Sequence, residues 1–573
     1  MALLRRPSTF RRYLVAAFLS ALTVYLLTQT QPNTTPWRLR QSANKHPIDG
    51  LVQAAEKEFA AKLSRETHTL SAAAAAYRKR RGRHPPPGFD IWYEFATENN
   101  ALIVEDFWDQ IYHDLEPFWG VNPAQIRKDA REFEMRIEIR NGKASTSSDW
   151  FWTLIWLDMI QTIEHLLPDM DLALNAMDEP RVVVPWEEMD VHLKRAVKTK
   201  KLANPRTVVS EFSNWREEQR EEPVVEWEHD KHYWAIARRG CPPKSLARQA
   251  ELITDFDKPP FIASTSSLVH MQDGYVANYT LSTDFCHQPD LQALEGVFVE
   301  PISTSATSTL LPLFGGSKLS VNNDILLPAP IYWKEEERFI GAEGASIPWS
   351  DKHPSALWRG VATGGRNRAT NWRAFQRHRF VAMNNATMLS LAASRPTTHP
   401  PPNFALPAAD VLNQYNLPPL TPTLNHERGG DEEDDLPTWL SKTTDIAFTD
   451  LMCANEGFGP SCDYTAPFFA PAEGVPMAAQ FRHNLPVKAT LWREWHDARL
   501  VAWRHFVPMD GRFGDWWGIL RTDRVAERIA LGGREWAGRV LRKEDMAVYV
   551  LRLLLEYARV GEERREVMGW VGI

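Results

Sequence analysis

Leu357-Trp358-Arg359-Gly360-Val361-Ala362-Thr363-Gly364-Gly365 is a short apolar approach that ends in an arginine, a threonine and three glycines. Glycine lets backbone N–H groups come close to a ligand, and an arginine beside them can neutralise a phosphate. The combination suits the diphosphate of a sugar nucleotide. The same residues also build an ordinary surface turn with a salt-bridged arginine, so the neighbours of this stretch carry the decision.

Upstream, the helical stretches Phe107 to Phe118 and Thr153 to Leu167 precede the strand candidate Arg181-Val182-Val183-Val184-Pro185-Trp186. Further strand candidates are Gly296 to Val299 and Asp324 to Leu327. Helices alternating with short β-branched runs predict an α/β architecture. Downstream, Met546, Tyr549, Val550, Leu553, Leu554 and Tyr557 repeat at helical spacing and predict a C-terminal helix with one apolar face on the body. The chain has 573 residues, too many for one core and enough for two or three domains. Its net charge of -7 gives no reason to expect a nucleic-acid partner, and its 23 tryptophans are expected mainly in cores and interfaces.

The N-terminus bears on topology. Arg5, Arg6, Arg11 and Arg12 precede an apolar run from Tyr13 to about Leu27 that Thr28 to Thr30 can extend. A cleaved signal peptide and a retained signal anchor are both open, and the lack of a small-x-small site after the run favours the anchor. The expected layout is then a cytosolic tail (1–12), a transmembrane anchor (13–30) and a stem (31–88), with everything beyond the anchor lumenal. The stem holds a helical stretch from Leu51 to Ala76, then the basic run Arg78 to Arg83, read as solvated surface, and Pro85-Pro86-Pro87. Sequons at Asn33, Asn278 and Asn385 agree with a lumenal body. The four cysteines, Cys241, Cys286, Cys453 and Cys462, allow three disulfide connectivities; local pairing of Cys453 with Cys462 leaves Cys241 with Cys286. Residues 395–437, rich in proline and ending near the acidic run Asp431 to Asp435, read as a disordered insertion.

Several blocks, taken in order, resemble the Cap-type glycosyltransferases of family 90, in the fungal branch related to capsule-associated xylosyltransferases; Rumi-like protein O-glucosyltransferases are more distant. The blocks are Pro168 to Asn175 with Asp178-Glu179-Pro180, Ser282-Thr283-Asp284-Phe285-Cys286-His287-Gln288-Pro289-Asp290, Asp324 to Pro330, Trp358 to Gly365, Arg493 to Asp497, and Trp503 to Pro508. The resemblance spans roughly residues 89 to 570. It implies a GT-B-like pair of Rossmann-type halves, here 89–300 and 301–573, with the active site between them. It also implies an inverting, metal-independent transfer from a UDP-sugar, xylose or similar, to a hydroxyl of a glycan or glycoprotein, with no cofactor beyond the sugar nucleotide. The setting expected is a single-pass Golgi membrane protein, with the endoplasmic reticulum as the other possibility.

Such a reaction needs a base for the acceptor hydroxyl, positive charge and N–H dipoles for the leaving diphosphate, and in-line positioning. The resemblance implies Asp284 as the base, where the residues alone read as an N-cap aspartate. Arg359 is expected to clamp the diphosphate, with Gly360, Thr363, Gly364 and Gly365 as a backbone cradle, and Arg482 and His505 on the donor side. No metal site is assigned to Asp169-Met170-Asp171 or to His229-Asp230-Lys231-His232. One departure from the family pattern stands out: Gln480-Phe481 runs almost directly into Arg482, where relatives carry about twenty more residues facing the donor. A non-catalytic, sugar-binding or scaffold relative is therefore the alternative. A glycoside hydrolase would need a second carboxylate paired with Asp284, and none is evident.

Overall fold

The structure is a computed structural model that describes residues 46–214, 225–229, 232–334, 347–394, 402–421, 434–451, 485–522 and 525–572. The chain divides into compact units Met1–Gly50 and Leu51–Ile573. The expected tail and anchor (1–12 and 13–30), Asn33, Cys453, Cys462 and Arg482 lie outside the described residues. Among the described residues no helix is long and apolar enough to cross a membrane.

The architecture is mixed α/β, with many helices around small sheets. Strands β1 (Arg136–Arg140), β2 (Lys143–Ser145) and β3 (Met170–Leu174) belong to a five-stranded sheet completed by β6 (Leu313–Gly315) and β7 (Ile325–Leu326), in the order β2-β1-β3-β6-β7. The β1 pairings are antiparallel, whereas β3, β6 and β7 run parallel. All of β3 is buried, as befits a strand covered on both faces. A small hairpin, β4 (Met271–Gln272) with β5 (Tyr275–Val276), stands apart. Two further parallel pairs lie downstream: β8 (Ala356–Val361) with β9 (Thr444–Asp450), and β10 (Val487–Lys488) with β11 (Val507–Pro508). The expected division at residue 300 therefore cuts across the main sheet, because β6 and β7 pair with strands from the other side of it.

The C-terminal helix Lys543–Val560 ties this sheet to the first helices. It is buried on nearly every side, not only along its apolar stripe. Its charged residues are matched by distant partners. Glu556 accepts from the hydroxyls of Tyr77 (2.7 Å) and Tyr112 (2.8 Å) and pairs with Arg559. The Arg552 guanidinium lies 4.3 Å from the Trp92 ring centre and donates to the Tyr112 hydroxyl at 2.8 Å. Burying these charges without such partners would cost several kcal/mol each.

The expected stem is corrected by the same contacts. Its helical stretch is two helices, Pro47–Leu63 and Leu70–Arg81, and Ala73, Ala74 and Tyr77 join the main core. Thr69 caps the second helix, accepting from the Ala72 N–H, and Gly82 ends it at φ +70°, a conformation that favours glycine. The basic run that follows is not solvated throughout: Arg81 is half-buried and pairs with Glu105, and Arg83 is buried and pairs with Glu116.

Three other expectations change. Arg181–Trp186 makes only an isolated bridge, Val182 with Thr307, and Trp186 opens the helix Trp186–Lys198. Gly296–Val299 is a turn of helix rather than a strand. Within the predicted disordered insertion, Ala409–Gln414 is helical, and Asp435 caps the helix Leu436–Thr443 by accepting from the Thr438 N–H.

Candidate functional site

Strand β8 delivers Thr363, Gly364 and Gly365 into a turn at its carboxyl end, the end at which open α/β sheets hold ligands. The turn is built around Glu300. The Glu300 carbonyl accepts from the Arg366 N–H (2.7 Å), and its carboxylate accepts from Arg368 (2.6 Å) and the Asn371 side chain (2.9 Å). The Asn367 side chain donates back to the Ala362 carbonyl at 2.8 Å.

The three glycines have different reasons to be glycine. A Cβ on Gly360 would lie 2.7 Å from the Trp358 ring of the same strand, so this glycine makes room for an indole. A Cβ on Gly365 would lie 2.7 Å from the Glu300 carbonyl oxygen, and Gly365 itself sits at φ +144°. Gly364 alone is exposed; it adopts φ +97°, and its Cβ position faces Arg377 Nε at 3.9 Å. The expected cradle thus narrows to Thr363 and Gly364.

Arg359 is committed elsewhere. Its Nη2 donates to both carboxylate oxygens of Asp445 (2.7 Å each), and its Nη1 donates to the Asp445 carbonyl (2.8 Å) and the Trp358 carbonyl (3.1 Å). The cation at the turn is Arg377, near the start of the helix Gln376–Met383. Its Nη1 donates to the Thr363 hydroxyl (2.6 Å) and the Val361 carbonyl (2.9 Å). Arg377 is half-buried, and no carboxylate among the described residues pairs with it. Desolvation by burial lowers its pKa from the ordinary arginine value. Nothing in the spacing marked Arg377; only its proximity in space to the glycine turn does.

Asp284 is the N-cap of the short turn Phe285–His287. Its Oδ1 accepts from the Cys286 N–H (3.1 Å) and the Ser320 hydroxyl (3.0 Å), while Oδ2 lies 3.9 Å from His287 Nδ1. The side chain keeps 32% of its exposure, and both hydrogen bonds it accepts go to Oδ1. The Cys241–Cys286 disulfide fastens this turn to the segment following the short helix Tyr233–Ala237. Burial lowers the His287 pKa.

A buried polar network underlies both groups. The Gln288 side chain donates to the Asp284 carbonyl (2.8 Å) and accepts from Arg512 (2.8 Å), which also holds Asp290 (2.6 Å). Asp510 lies 2.8 Å from His270 Nε2. Glu295 accepts from Gln376, next to Arg377, at 3.0 Å, and burial pushes its pKa up to about 8.

Other expected site residues fall outside this region. His505 is fully buried, its ring stacked on Trp536 at 5.4 Å and its Nδ1 accepting from the Val501 N–H at 2.9 Å; burial drives its pKa down to about 3. It is a core residue rather than a donor ligand. Asp169 and Asp171 are structural: Asp169 accepts from the Asn141 N–H (2.7 Å) and Asp171 pairs with Arg140 (2.6 Å). His229 and His232 sit beside backbone carbonyls of Thr304 and Phe298. No metal-holding group occurs among the described residues. The sequon Asn278 is exposed at a helix N-cap, and Asn385 is half-buried before the helix Ala386–Ser394. No protein-family model matches the chain, and no curated protein matches it.

Proposed function

We propose that the chain is a UDP-sugar-dependent glycosyltransferase of the Cap type, inverting and metal-independent, that moves xylose or a similar sugar to a hydroxyl of a glycan or glycoprotein. In this reading the β3-β6-β7 sheet and the β8–β9 pair are the cores of two Rossmann-like halves. The N-terminal run anchors the enzyme in the Golgi membrane with its body in the lumen. The observation that carries the reading is the half-buried Arg377 guanidinium, without a carboxylate partner among the described residues, on the Thr363–Gly364 turn at the end of a parallel strand. That arrangement fits a diphosphate.

Chemically, Asp284 Oδ2 takes the proton from the acceptor hydroxyl as its oxygen attacks the anomeric carbon. The C–O bond to UDP breaks on the opposite face, and the departing diphosphate is neutralised by Arg377 and the turn's N–H groups. Because the turn is held by Glu300, little reorganisation is required as the charge develops. The test is a calorimetric titration of the full chain with UDP in the presence of a chelator, followed by turnover with a panel of UDP-sugars. Metal-independent binding with transfer from one donor is the expected result. A folded chain that binds no UDP overturns the proposal.

One observation favours the alternative of a non-catalytic relative: the guanidinium of Arg359, the expected diphosphate clamp, is taken up by Asp445. UDP binding without transfer from any donor is the outcome that this alternative predicts.

A further inference from the structure

A cleft of about 450 Å³ opens between the end of the helix Leu70–Arg81, the helix Asp109–Leu115 and the loop Ser320–Asn323. Its volume lies in the range of small-ligand sites. Four cations line it, Arg80, Arg81, Arg83 and Lys200, against two carboxylates, Asp109 and Glu116. Arg80 and Arg81 are neutralised by Asp109, which pairs with both, together with Asp106 and Glu105. The remaining two share one acid. Glu116 lies 2.9 Å from Lys200 Nζ and 3.5 Å from Arg83 Nη1.

The Arg83 end is closely packed. Arg83 is 6% exposed, packs over Trp119 at 3.9 Å, donates to the Thr199 hydroxyl at 2.6 Å, and has a buried Nε without a hydrogen-bond partner. Lys200 is more open, its side chain 39% exposed. Val184, Met189 and Leu193 give the cleft an apolar side, and Ser320 and Asn323 a polar one. An under-neutralised cation pair with an apolar wall and neutral polar groups suits a sugar ring that carries a carboxylate. Ser320 connects the cleft to the catalytic machinery, because its hydroxyl donates to Asp284 Oδ1 at 3.0 Å.

We propose that this cleft is the acceptor subsite and that it takes a uronic acid residue, with the carboxylate between Lys200 and Arg83. The binding claim stands by itself; only the word acceptor rests on the transferase reading.

The test compares methyl β-glucuronide, methyl β-glucoside and inorganic sulfate as ligands of the full chain, by saturation-transfer NMR titration without UDP-sugar. The two glycosides differ at C6, where one carries a carboxylate and the other a hydroxymethyl group. The glucuronide is expected to bind about tenfold more tightly than the glucoside. Lys200→Gln should remove most of that preference at an unchanged melting temperature. Glu116→Gln, which releases both cations, should strengthen glucuronide binding. Equal binding of the two glycosides, or a preference untouched in Lys200→Gln, overturns the proposal. Sulfate that binds as tightly as the glucuronide reduces the site to a bare oxyanion site and overturns the sugar assignment. Glucuronide binding by a chain that transfers no sugar overturns the transferase reading alone, whereas transfer without any glucuronide preference overturns the cleft assignment alone.

Discussion

Arg377 donates from one guanidinium nitrogen to both the Thr363 hydroxyl and the Val361 carbonyl, and so fixes the glycine turn to the helix behind it. Arg359, on the strand itself, is turned to Asp445 instead. Arg377→Ala is therefore expected to weaken UDP binding by about tenfold or more, as befits loss of a charge-assisted contact to phosphate. Arg359→Ala should leave UDP affinity nearly unchanged, since its guanidinium is already committed to Asp445. Calorimetry on the two variants separates them; the reverse order of effects would return the clamp to Arg359.

Asp284→Asn keeps a side-chain oxygen for the Cys286 N–H and Ser320 hydroxyl but cannot take a proton. Transfer should fall by at least about a thousandfold while UDP affinity is unchanged. Ser320→Ala, which removes one donor to Oδ1 and so loosens the carboxylate's orientation, should lower turnover several-fold with UDP affinity unchanged. Wild-type turnover in Asp284→Asn removes this residue from the mechanism.

Glu295 provides a pH signature of stability. Its folded pKa of about 8 lies above that of an exposed glutamate, so the folded state binds the extra proton. Its favourable contribution is complete below the unfolded pKa near 4.3 and is lost as pH rises through about 8. Glu295→Gln should therefore raise the melting temperature at pH 8.5 by more than at pH 5. Parallel melting curves for variant and wild type at all pH values would refute this assignment.

The Cys241–Cys286 bridge closes a stretch with a sequence separation of 45, for which the chain-entropy account gives roughly 4 kcal/mol of stabilisation. Replacing both cysteines by alanine should lower stability by up to about that amount. It should also reduce kcat more than it raises the KM for the donor, since the bridge holds the turn that bears Asp284 and not the glycine turn. Denaturant titration together with donor kinetics reads both effects.

Much of this architecture is legible in the residues. The repeat from Met546 to Tyr557 specifies the C-terminal helix, and the strand–turn composition at Leu357 to Gly365 marks the end of β8. The charged face of the same helix is not legible, because Arg552, Glu556 and Arg559 read as solvent-facing until Tyr77, Tyr112 and Glu105 are brought to them from more than four hundred residues away. Gly296-Val297-Phe298-Val299 is too short an apolar run for periodicity to separate a strand from a buried helical turn. Arg359 was open to two readings for a similar reason: Asp445, the residue that engages it, is 86 positions distant. His505 shows the same limit, since stacking on Trp536 is a fact of packing and not of pattern.

The bond from Tyr77 to Glu556 joins residues 479 positions apart. A ribosome needs on the order of tens of seconds to synthesise that interval. Throughout it, the helix Leu70–Arg81 and the aromatic residues around Trp92 have emerged but lack the helix that covers them. Completion of this core thus waits until that whole interval has been made, and the uncovered surface around Trp92 is a natural client for chaperones that bind exposed aromatic chain.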